Sequence, residues 1–312
     1  MTHKTQETIK TIRQPDDYSG PVVCTVISSA ARRPCGTAVL YIHGFSDYYF
    51  NSAMCAEFNS HGYDFYAVDL RKYGRSILPG QKMFQARDLH EYFPDIIAGL
   101  DEIRRNKSDR RIILMGHSTG GLICSLFMAE CSQPDICALI LNSPFLSWNL
   151  PFALRKLAVP AISLLGRIAP GTVIRQPKDA SYARTLHRDL GGEWDYDREL
   201  KPDELPDVDA GWIAAIERAQ HRLRHGAGIK VPILLLHSDR SVRPGASQDE
   251  FRRGDAILNV ETLAEVGRRL GPDVTEVAIP GGLHDLVLSA PKVRENVYRE
   301  IFSWLTSHVK PK

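Results

Sequence analysis

The 312-residue chain lacks a strong excess of either charge and lacks a hydrophobic run long enough to cross a bilayer. Its 39 Lys and Arg residues nearly balance 37 Asp and Glu residues, giving a formal net charge of +2. A basic excess is typical of proteins that bind phosphate backbones, so we expect no nucleic-acid partner. The longest apolar stretch, residues 157–168, is interrupted by Pro160 and Arg167. It falls short of the roughly 18 apolar residues of a spanning helix, and we expect no integral membrane segment.

Cysteine motifs and a secretory leader are missing as well. The six cysteines show no Cys-x-x-Cys spacing and are too few for a disulfide framework in a chain of this length. We expect reduced, mostly buried thiols and no metal. The first ten residues are polar and contain no apolar segment of the kind found in a signal peptide. These features favour a cytoplasmic location.

Apolar residues, by contrast, are abundant at 43%, which is enough to build a sizeable core. Seven short apolar runs are typical of strands, and several are continuous, as in strands buried on both faces. The runs are 22–27, 38–42, 65–68, 112–115, 138–141, 233–236 and 274–279. Segments with helical periodicity lie at 89–105, 122–131, 260–270 and 291–309. This alternation predicts an α/β fold with a mostly parallel, doubly wound sheet.

The alternation is interrupted once, over residues 145–228, where prolines and tryptophans replace it. We expect a helical cap here, inserted into a core domain formed by residues 1–144 and 229–312. The first part of the cap, residues 145–165, is strongly apolar. This segment forms an apolar wall for an acyl chain or aromatic group of the substrate, or it packs on the core domain. The sequence leaves both alternatives open. An apolar cap would also allow transient contact with a lipid substrate.

A Gly-x-Ser-x-Gly motif at residues 116–120 follows an apolar strand and precedes an apolar helical segment. This is the strand-to-helix context that a nucleophile elbow requires. Gly116 and Gly120 leave room for the strand and the helix to approach each other. The motif therefore predicts Ser118 as the nucleophile, with the backbone N–H of Thr119 directed towards a developing oxyanion.

A serine hydroxyl becomes a useful nucleophile when a histidine takes its proton and a carboxylate fixes that histidine. Asp239 ends a strand-like apolar run, and the carboxyl ends of parallel strands are where such folds place their chemistry. It is the predicted acid. Its rivals are Asp249 and Asp255, which lie in a polar stretch with no strand directly before them.

The predicted base is His284, which lies in a glycine-rich loop after the run 274–279. Such a loop gives the imidazole freedom to reach the serine. His117 is the rival, but on a sharp turn its side chain should point away from its neighbour. We expect Asp285, the residue after the base, to be a structural hydrogen-bond partner.

A second oxyanion donor should come from the loop after an earlier strand. The segment HGFSDYYF at residues 43–50 follows the run 38–42 and fits that place. Phe45 is the predicted donor through its backbone N–H. His43 and Gly44 shape the loop, with His43 as a buried hydrogen-bonding residue.

Together these motifs resemble the monoacylglycerol lipase, lysophospholipase and serine aminopeptidase-like branch of the α/β-hydrolases. The matching segments are 43–44, 69–76, 116–120, 239–242 and 282–284, and the resemblance spans roughly residues 37–308. It implies a Ser-Asp-His hydrolase without a cofactor, a helical cap between strands six and seven, and acyl esters of moderate size as substrates. The family's functional positions fall on Ser118, Asp239, His284, Phe45 and Thr119. The turn at 69–76 is expected to support the oxyanion loop.

The loop after Gly44 departs from the family pattern, because it reads FSDYYF where the lipase-like members usually carry a glycine and then a short polar run. The sequence thus predicts a serine hydrolase that cleaves a small-molecule carboxylic ester through an acyl-enzyme. Acyl transfer to an alcohol, perhydrolysis and peptide hydrolysis would use the same triad. A ligand-binding protein without catalysis is the alternative of a different class.

Overall fold

The computed structural model describes residues 6–106 and 110–309. Its strands are β1 (Thr8–Asp17), β2 (Gly20–Ser29), β3 (Thr37–Ile42), β4 (Asp64–Asp69), β5 (Arg111–His117), β6 (Ile136–Asn142), β7 (Val173–Ile174), β8 (Val208–Asp209), β9 (Ile233–Ser238) and β10 (Val274–Ile279). Its helices are α1 (Ser52–Ser60), α2 (Phe93–Asn106), α3 (Thr119–Glu130), α4 (Val159–Ile168), α5 (Ala183–Leu186), α6 (Ala210–Arg224), α7 (Gln248–Phe251), α8 (Val260–Gly267) and α9 (Pro291–His308). The first five residues of the polar N-terminus, where we expect no leader, lie outside the described residues.

Eight strands form one sheet in the order β1-β2-β4-β3-β5-β6-β9-β10. Every neighbouring pair from β4 to β10 is parallel, whereas β1 and β2 extend the sheet in antiparallel fashion. The mostly parallel α/β sheet predicted from the alternating runs is confirmed.

The central strands are buried on both faces, which explains why their sequences are continuously apolar. All residues of β3, β4 and β9 are buried. Side chains of α2, α3 and α8 join the hydrophobic cluster on one face of the sheet, and side chains of α1 and α9 join the cluster on the other. The sheet is therefore doubly wound, and its carboxyl edge is free to carry loops.

Strand β1 is the one strand of the main sheet that the sequence analysis did not predict. Most of its residues are exposed, because it lies at the edge of the sheet, and exposed strands carry little apolar periodicity. A tight turn joins it to β2. Gly20 follows with a positive φ of 94°, and Asp17 accepts a hydrogen bond from the backbone of Ser19 at 2.7 Å.

Residues 145–228, which we call the insertion segment, lie between β6 and β9, the sixth and seventh strands of the main sheet. The segment contains α4, α5 and α6 and the small β7–β8 pair. Helices α4 and α6 pack closely, since a Cβ at Gly166 would lie 2.2 Å from the carbonyl oxygen of Ala210. Several large apolar side chains of the segment face solvent; they include Phe152, Leu157, Leu164 and Ile168.

The cysteines and the hydrophobicity of the helices can be read directly from the structure. All six cysteines are free, and Cys24, Cys55 and Cys124 are buried. Within residues 6–106 and 110–309, no helix is both long enough and apolar enough to cross a membrane.

A buried ion pair fixes helix α2 to the loop after β4. The guanidinium of Arg71 contacts Asp95 Oδ1 at 2.7 Å, and the Arg71 backbone N–H donates to Asp95 Oδ2 at 2.9 Å. Both side chains are almost fully buried. Burial raises the pKa of Asp95, and the Arg71 guanidinium opposes that rise. The carboxylate therefore depends on its arginine for a counter-charge.

Replacing Arg71 by methionine should lower the free energy of unfolding by about 3–5 kcal/mol, because it leaves a buried carboxylate without its partner. Urea unfolding followed by circular dichroism measures the change. Arg269→Met is the matched control: Arg269 pairs with Glu265 at the surface, and exposed pairs of this kind contribute about 0.5 kcal/mol or less. Equal losses in the two variants would contradict a stabilising role for the buried pair.

Candidate active site

Ser118 lies at the sharp turn between β5 and α3, with φ 51° and ψ −117°. A positive φ is strained for a residue with a side chain and persists where surrounding contacts hold it. Here the Ser118 N–H donates to the carbonyl of Asn142 at 3.0 Å. The Ser118 carbonyl accepts from Leu122 and Phe145 at 3.1 and 2.9 Å. Strand β6 and helix α3 thus fix the backbone of the turn, and Thr119 is the first residue of the helix.

Glycine is required on both sides of this turn because backbone approaches backbone there. A Cβ at Gly120 would lie 2.3 Å from the carbonyl oxygen of His43 and 2.4 Å from that of Ile42. A Cβ at Gly116 would lie 2.6 Å from the carbonyl oxygen of Gly120. The start of α3 therefore packs directly on the end of β3.

The loop after β3, which carries Phe45, passes beside Ser118, the predicted nucleophile. A Cβ built on Gly44 would lie 3.1 Å from Ser118 Cβ and 3.0 Å from His117 Nδ1. His43 is buried, its Nδ1 lies 2.8 Å from the Gly44 carbonyl, and its Nε2 accepts from the backbone of Leu70 at 3.1 Å. This pattern makes His43 a neutral ring that shapes the loop, and burial lowers its pKa.

The turn at residues 69–76 supports the same loop from the other side. Asp69 Oδ1 accepts from the backbone N–H of Tyr49 at 2.9 Å. The guanidinium of Arg75 contacts Asp69 Oδ2 at 2.7 Å and donates to the Tyr49 carbonyl at 2.9 Å. The loop is therefore hydrogen-bonded to the end of β4 through its backbone.

His284 lies in the loop after β10, and the carboxylate beside it is Asp255. His284 Nδ1 lies 2.9 Å from Asp255 Oδ2, and both side chains are buried. The other carboxylate oxygen accepts backbone N–H groups of Ile257 and Leu258 at 2.8 and 2.7 Å. Three hydrogen bonds therefore orient Asp255 towards the imidazole. The His284 ring centre lies 4.9 Å from that of His117, the residue before Ser118.

Asp239, predicted as the partner of His284, has other contacts. Its carboxylate pairs with Arg240 at 2.7 Å and accepts the backbone N–H of Gly281 at 2.9 Å. Burial raises the pKa of Asp239. The Arg240 guanidinium and the Gly281 N–H lower this pKa by more than burial raises it, so the pKa of Asp239 lies below its ordinary value. The pairing of His284 with Asp255 corrects the sequence-based assignment of this contact.

The correction has a geometric cause. After Arg240 the chain leaves the sheet, and it returns at Asp255, whose backbone N–H donates to the Arg240 carbonyl at 2.9 Å. Val242 in turn donates to the Asp255 carbonyl at 2.7 Å. Asp255 thus lies at the end of β9 in space although it is remote from it in sequence. The apolar run Ala256-Ile257-Leu258 after it, at the end of a polar stretch, is the sign in the sequence that the chain returns to the core there.

A buried polar cluster lies beneath the turn and joins the residues next to the predicted catalytic groups. His117 Nδ1 is 3.8 Å from Asp47 Oδ2 and 3.8 Å from Asp285 Oδ2. Burial, reinforced by the charge that His284 can carry, lowers the pKa of His117 well below its ordinary value. The ring of His117 is therefore neutral at pH 7.

Asp285 is also held from two other directions. It accepts the side-chain N–H of Asn142 at 2.7 Å, and its backbone N–H donates to the hydroxyl of Tyr182 at 3.1 Å. Burial raises the pKa of Asp285, and the hydrogen bond from Asn142 opposes the rise. These contacts fit the expected structural part of Asp285 beside the base.

The same cluster offers three potential metal ligands, since atoms of Asp47, His117 and Asp285 all lie within 4.8 Å of one another. The ammonium of Lys201, however, is 2.8 Å from Asp47 Oδ1. The cluster therefore already contains a cation supplied by the chain itself, and we assign it no metal.

Aromatic side chains surround the loop after β3 on its outer side. The Phe45 ring lies 4.5 Å from that of Trp212 and 5.3 Å from that of Phe84. Trp148 follows at 6.3 Å from Trp212 and packs edge-on against Phe145 at 5.1 Å. Most of this aromatic group comes from the insertion segment. The Phe45 side of this loop is therefore apolar, whereas the side that carries Asp47 faces the polar cluster.

The order of strands, the sharp turn at Ser118 between β5 and α3, and the helices on both faces define an α/β-hydrolase fold. The family model described as serine aminopeptidase, S33, matches residues 34–290. Over 240 residues the chain is 25% identical to the monoglyceride lipase homolog of monkeypox virus, covering 76% of this chain and 77% of that protein.

Solved structures agree on the fold. A soluble variant of monoglyceride lipase from Saccharomyces cerevisiae is similar with a TM-score of 0.71, 19% identity and 98% of each chain covered. The monoacylglycerol lipase of Paleococcus ferrophilus is similar with a TM-score of 0.65 and 21% identity, covering 91% of this chain and 99% of that one. The chain belongs to the serine aminopeptidase S33 family, in its monoacylglycerol lipase-like branch, and the family resemblance of its motifs is confirmed. It is a hydrolase by family.

Gly120→Ala should destabilise the fold by more than about 2 kcal/mol and lower hydrolytic activity per folded molecule, because the new methyl group would meet two backbone carbonyls. Thermal unfolding measures the first effect, and the rate per active site measures the second. Gly171→Ala is the control, since nothing lies within 4 Å of a Cβ there. A Gly120→Ala variant as stable and active as Gly171→Ala would contradict the close approach of α3 to β3.

Proposed function

We propose that the protein is a carboxylic ester hydrolase in which Ser118 is the nucleophile, His284 the base and Asp255 the acid. The hydrogen bond from His284 Nδ1 to Asp255, 2.9 Å long and fully buried, is the observation that carries the proposal. It fixes the tautomer in which Nε2 is free to accept a proton. The strained Ser118 turn, found in a family of serine hydrolases, supplies the nucleophile.

The proposed reaction proceeds by acyl transfer in two steps. His284 Nε2 takes the Ser118 proton as the hydroxyl oxygen attacks the ester carbonyl carbon, and the carbonyl oxygen becomes an oxyanion. The backbone N–H groups of Phe45 and Thr119 donate to that oxyanion, each worth on the order of 3 kcal/mol. The alcohol leaves with the proton from His284. Water, deprotonated by His284, then attacks the acyl carbon. The bond to the Ser118 oxygen breaks, that oxygen takes the proton back from His284, and the acid is released.

Asp255 is preferred over Asp239 as the acid because its carboxylate is buried and already oriented by backbone N–H groups. Asp239 is partly exposed and paired with Arg240. We assign Asp239 a supporting role, since its hydrogen bond to the Gly281 backbone holds the first part of the loop that carries His284.

The insertion segment is proposed as a cap over the nucleophile turn. Its residue Trp212 lies beside Phe45, and Trp148 lies beside Trp212. These rings would form an apolar wall for the acyl part of the ester. Its exposed apolar residues Phe152, Leu157 and Ile168 fit transient contact with a lipid substrate. The relatives named as monoglyceride lipases support a monoacyl ester as substrate. A cytoplasmic location stays a prediction from the sequence.

Asp255→Asn should lower kcat by about 10⁴-fold, because the amide would favour the wrong tautomer of His284. Asp239→Asn is the matched variant and should keep kcat within about tenfold, since it weakens one charge-assisted hydrogen bond to the backbone. Initial rates with p-nitrophenyl butyrate measure both. The reverse order of the two losses would reinstate Asp239 as the acid.

Labelling with a fluorophosphonate probe tests the nucleophile independently of the substrate. The wild-type protein should be modified stoichiometrically at Ser118, as located by peptide mass spectrometry, and Ser118→Ala should be neither labelled nor active. An unlabelled wild-type protein would favour a ligand-binding protein without catalysis.

Chain-length preference tests the apolar wall. For p-nitrophenyl esters from acetate to octanoate, kcat/KM should rise by up to about fourfold per added CH₂ while the chain is being buried, since each buried CH₂ contributes about 0.8 kcal/mol. The series is measured below the micelle concentration, so that aggregation does not imitate binding. A flat or falling series would show that the aromatic group instead packs on the core domain.

A further inference from the structure

Lys201 is a buried basic residue of the insertion segment that contacts the loop carrying Phe45. Its exposed fraction is 9%, and that of its partner Asp47 is 2%. Lys201 Nζ lies 2.8 Å from Asp47 Oδ1. A lysine is seldom buried unless its charge is paired, because removing an unpaired ammonium ion from water is costly. The pair joins the insertion segment to the core domain.

The insertion segment and the loop after β3 also supply the aromatic rings around the Lys201 ammonium. Lys201 Nζ lies 5.7 Å from the ring centre of Tyr196 and 5.8 Å from that of Phe50, within the range of cation–π attraction. The two rings are themselves 5.0 Å apart. Asp197 adds a backbone link, since its N–H donates to the Tyr48 hydroxyl at 2.9 Å. Residues 196–201 therefore pack as a unit on residues 47–50.

The loop needs such support because Ser46 is strained. Ser46 has a positive φ of 52° and lies between Phe45 and Asp47. A residue with a side chain in this region costs on the order of 1–3 kcal/mol and persists where its neighbours are held in place. Asp47 is the neighbour that is held, by Lys201 and by the backbone N–H of Tyr48 at 2.9 Å. Releasing Asp47 would let Ser46 relax and move the Phe45 amide.

Asp47 also faces the rest of the site. Its second oxygen lies 3.8 Å from His117 Nδ1, which is also 3.8 Å from Asp285 Oδ2; both distances are longer than a hydrogen bond. His117 precedes Ser118, and Asp285 follows His284. The cluster thus touches all three loops from which the proposed chemistry comes, and the ammonium of Lys201 balances one of its two buried carboxylates.

We propose that Lys201 is a positioning residue which, through Asp47, holds the strained Phe45–Asp47 backbone so that the Phe45 N–H faces the oxyanion of the transition state. The inference rests on the proposed function. It also accounts for the departure of this loop from the lipase pattern: the aromatic run at residues 48–50 is complementary to residues 196–201. The segment that contributes Lys201 is then a fixed wall of the site.

Lys201→Met should lower kcat by about 10- to 100-fold and leave KM within about threefold, because oxyanion stabilisation acts on the transition state. A trifluoromethyl ketone, which forms a tetrahedral adduct with the serine, should lose affinity by the same factor as kcat/KM. Lys201→Arg should recover most of the loss. Lys178→Met is the matched control, since Lys178 is an exposed lysine of the same segment and should behave as wild type.

Rates are expressed per active site, titrated with a fluorophosphonate, so that a loss of folded protein is not read as a loss of rate. Asp47→Asn should match Lys201→Met, and the double variant should be no worse than either, because the two residues act as one unit. Additive losses, or a fall in active-site concentration with an unchanged rate per site, would overturn the inference. If Lys201→Met does not fold, Asp47→Asn and Lys201→Arg decide by the same criteria. A wild-type protein that neither labels nor hydrolyses esters would instead overturn the proposed function.

Discussion

The close approach of helix α3 to the end of strand β3 is the constraint on which the rest of the site depends. Gly120 lies against the carbonyls of Ile42 and His43 with no room for a Cβ. Two residues earlier, the chain turns sharply at Ser118, which has a positive φ of 51°. The same approach brings the loop after β3 beside Ser118, so that one packing contact places the proposed nucleophile next to the loop that carries Phe45.

The parts of the site that could be predicted from sequence are those whose geometry is local. Ser118 lies within five residues that form the whole turn, and His284 follows a strand in a short glycine-rich loop. The partner of His284 could not be found this way, because Asp255 reaches the end of β9 only after the chain has left the sheet and returned. A rule that places the acid directly after its strand selects Asp239.

A similar distinction applies to the fold. Buried strands such as β3 and β9 have an apolar signature and were predicted close to their observed bounds. The edge strand β1 has no apolar signature, because it is formed by hydrogen bonds to β2 rather than by burial. The contact of Lys201 with Asp47 is likewise invisible in the sequence, where each is an ordinary charged residue. The two residues form an ion pair only when the insertion segment packs on the loop after β3.

The return of the chain at Asp255 gives the loop after β10 a second point of attachment. The end of β9 presents two carboxylates to neighbouring parts of one loop: Asp239 holds the Gly281 backbone, and Asp255 holds the His284 ring. Because both carboxylates lie at the end of β9, that strand anchors the loop after β10 at Gly281 and again at His284. The two tethers, three residues apart, hold the chain between them at both ends.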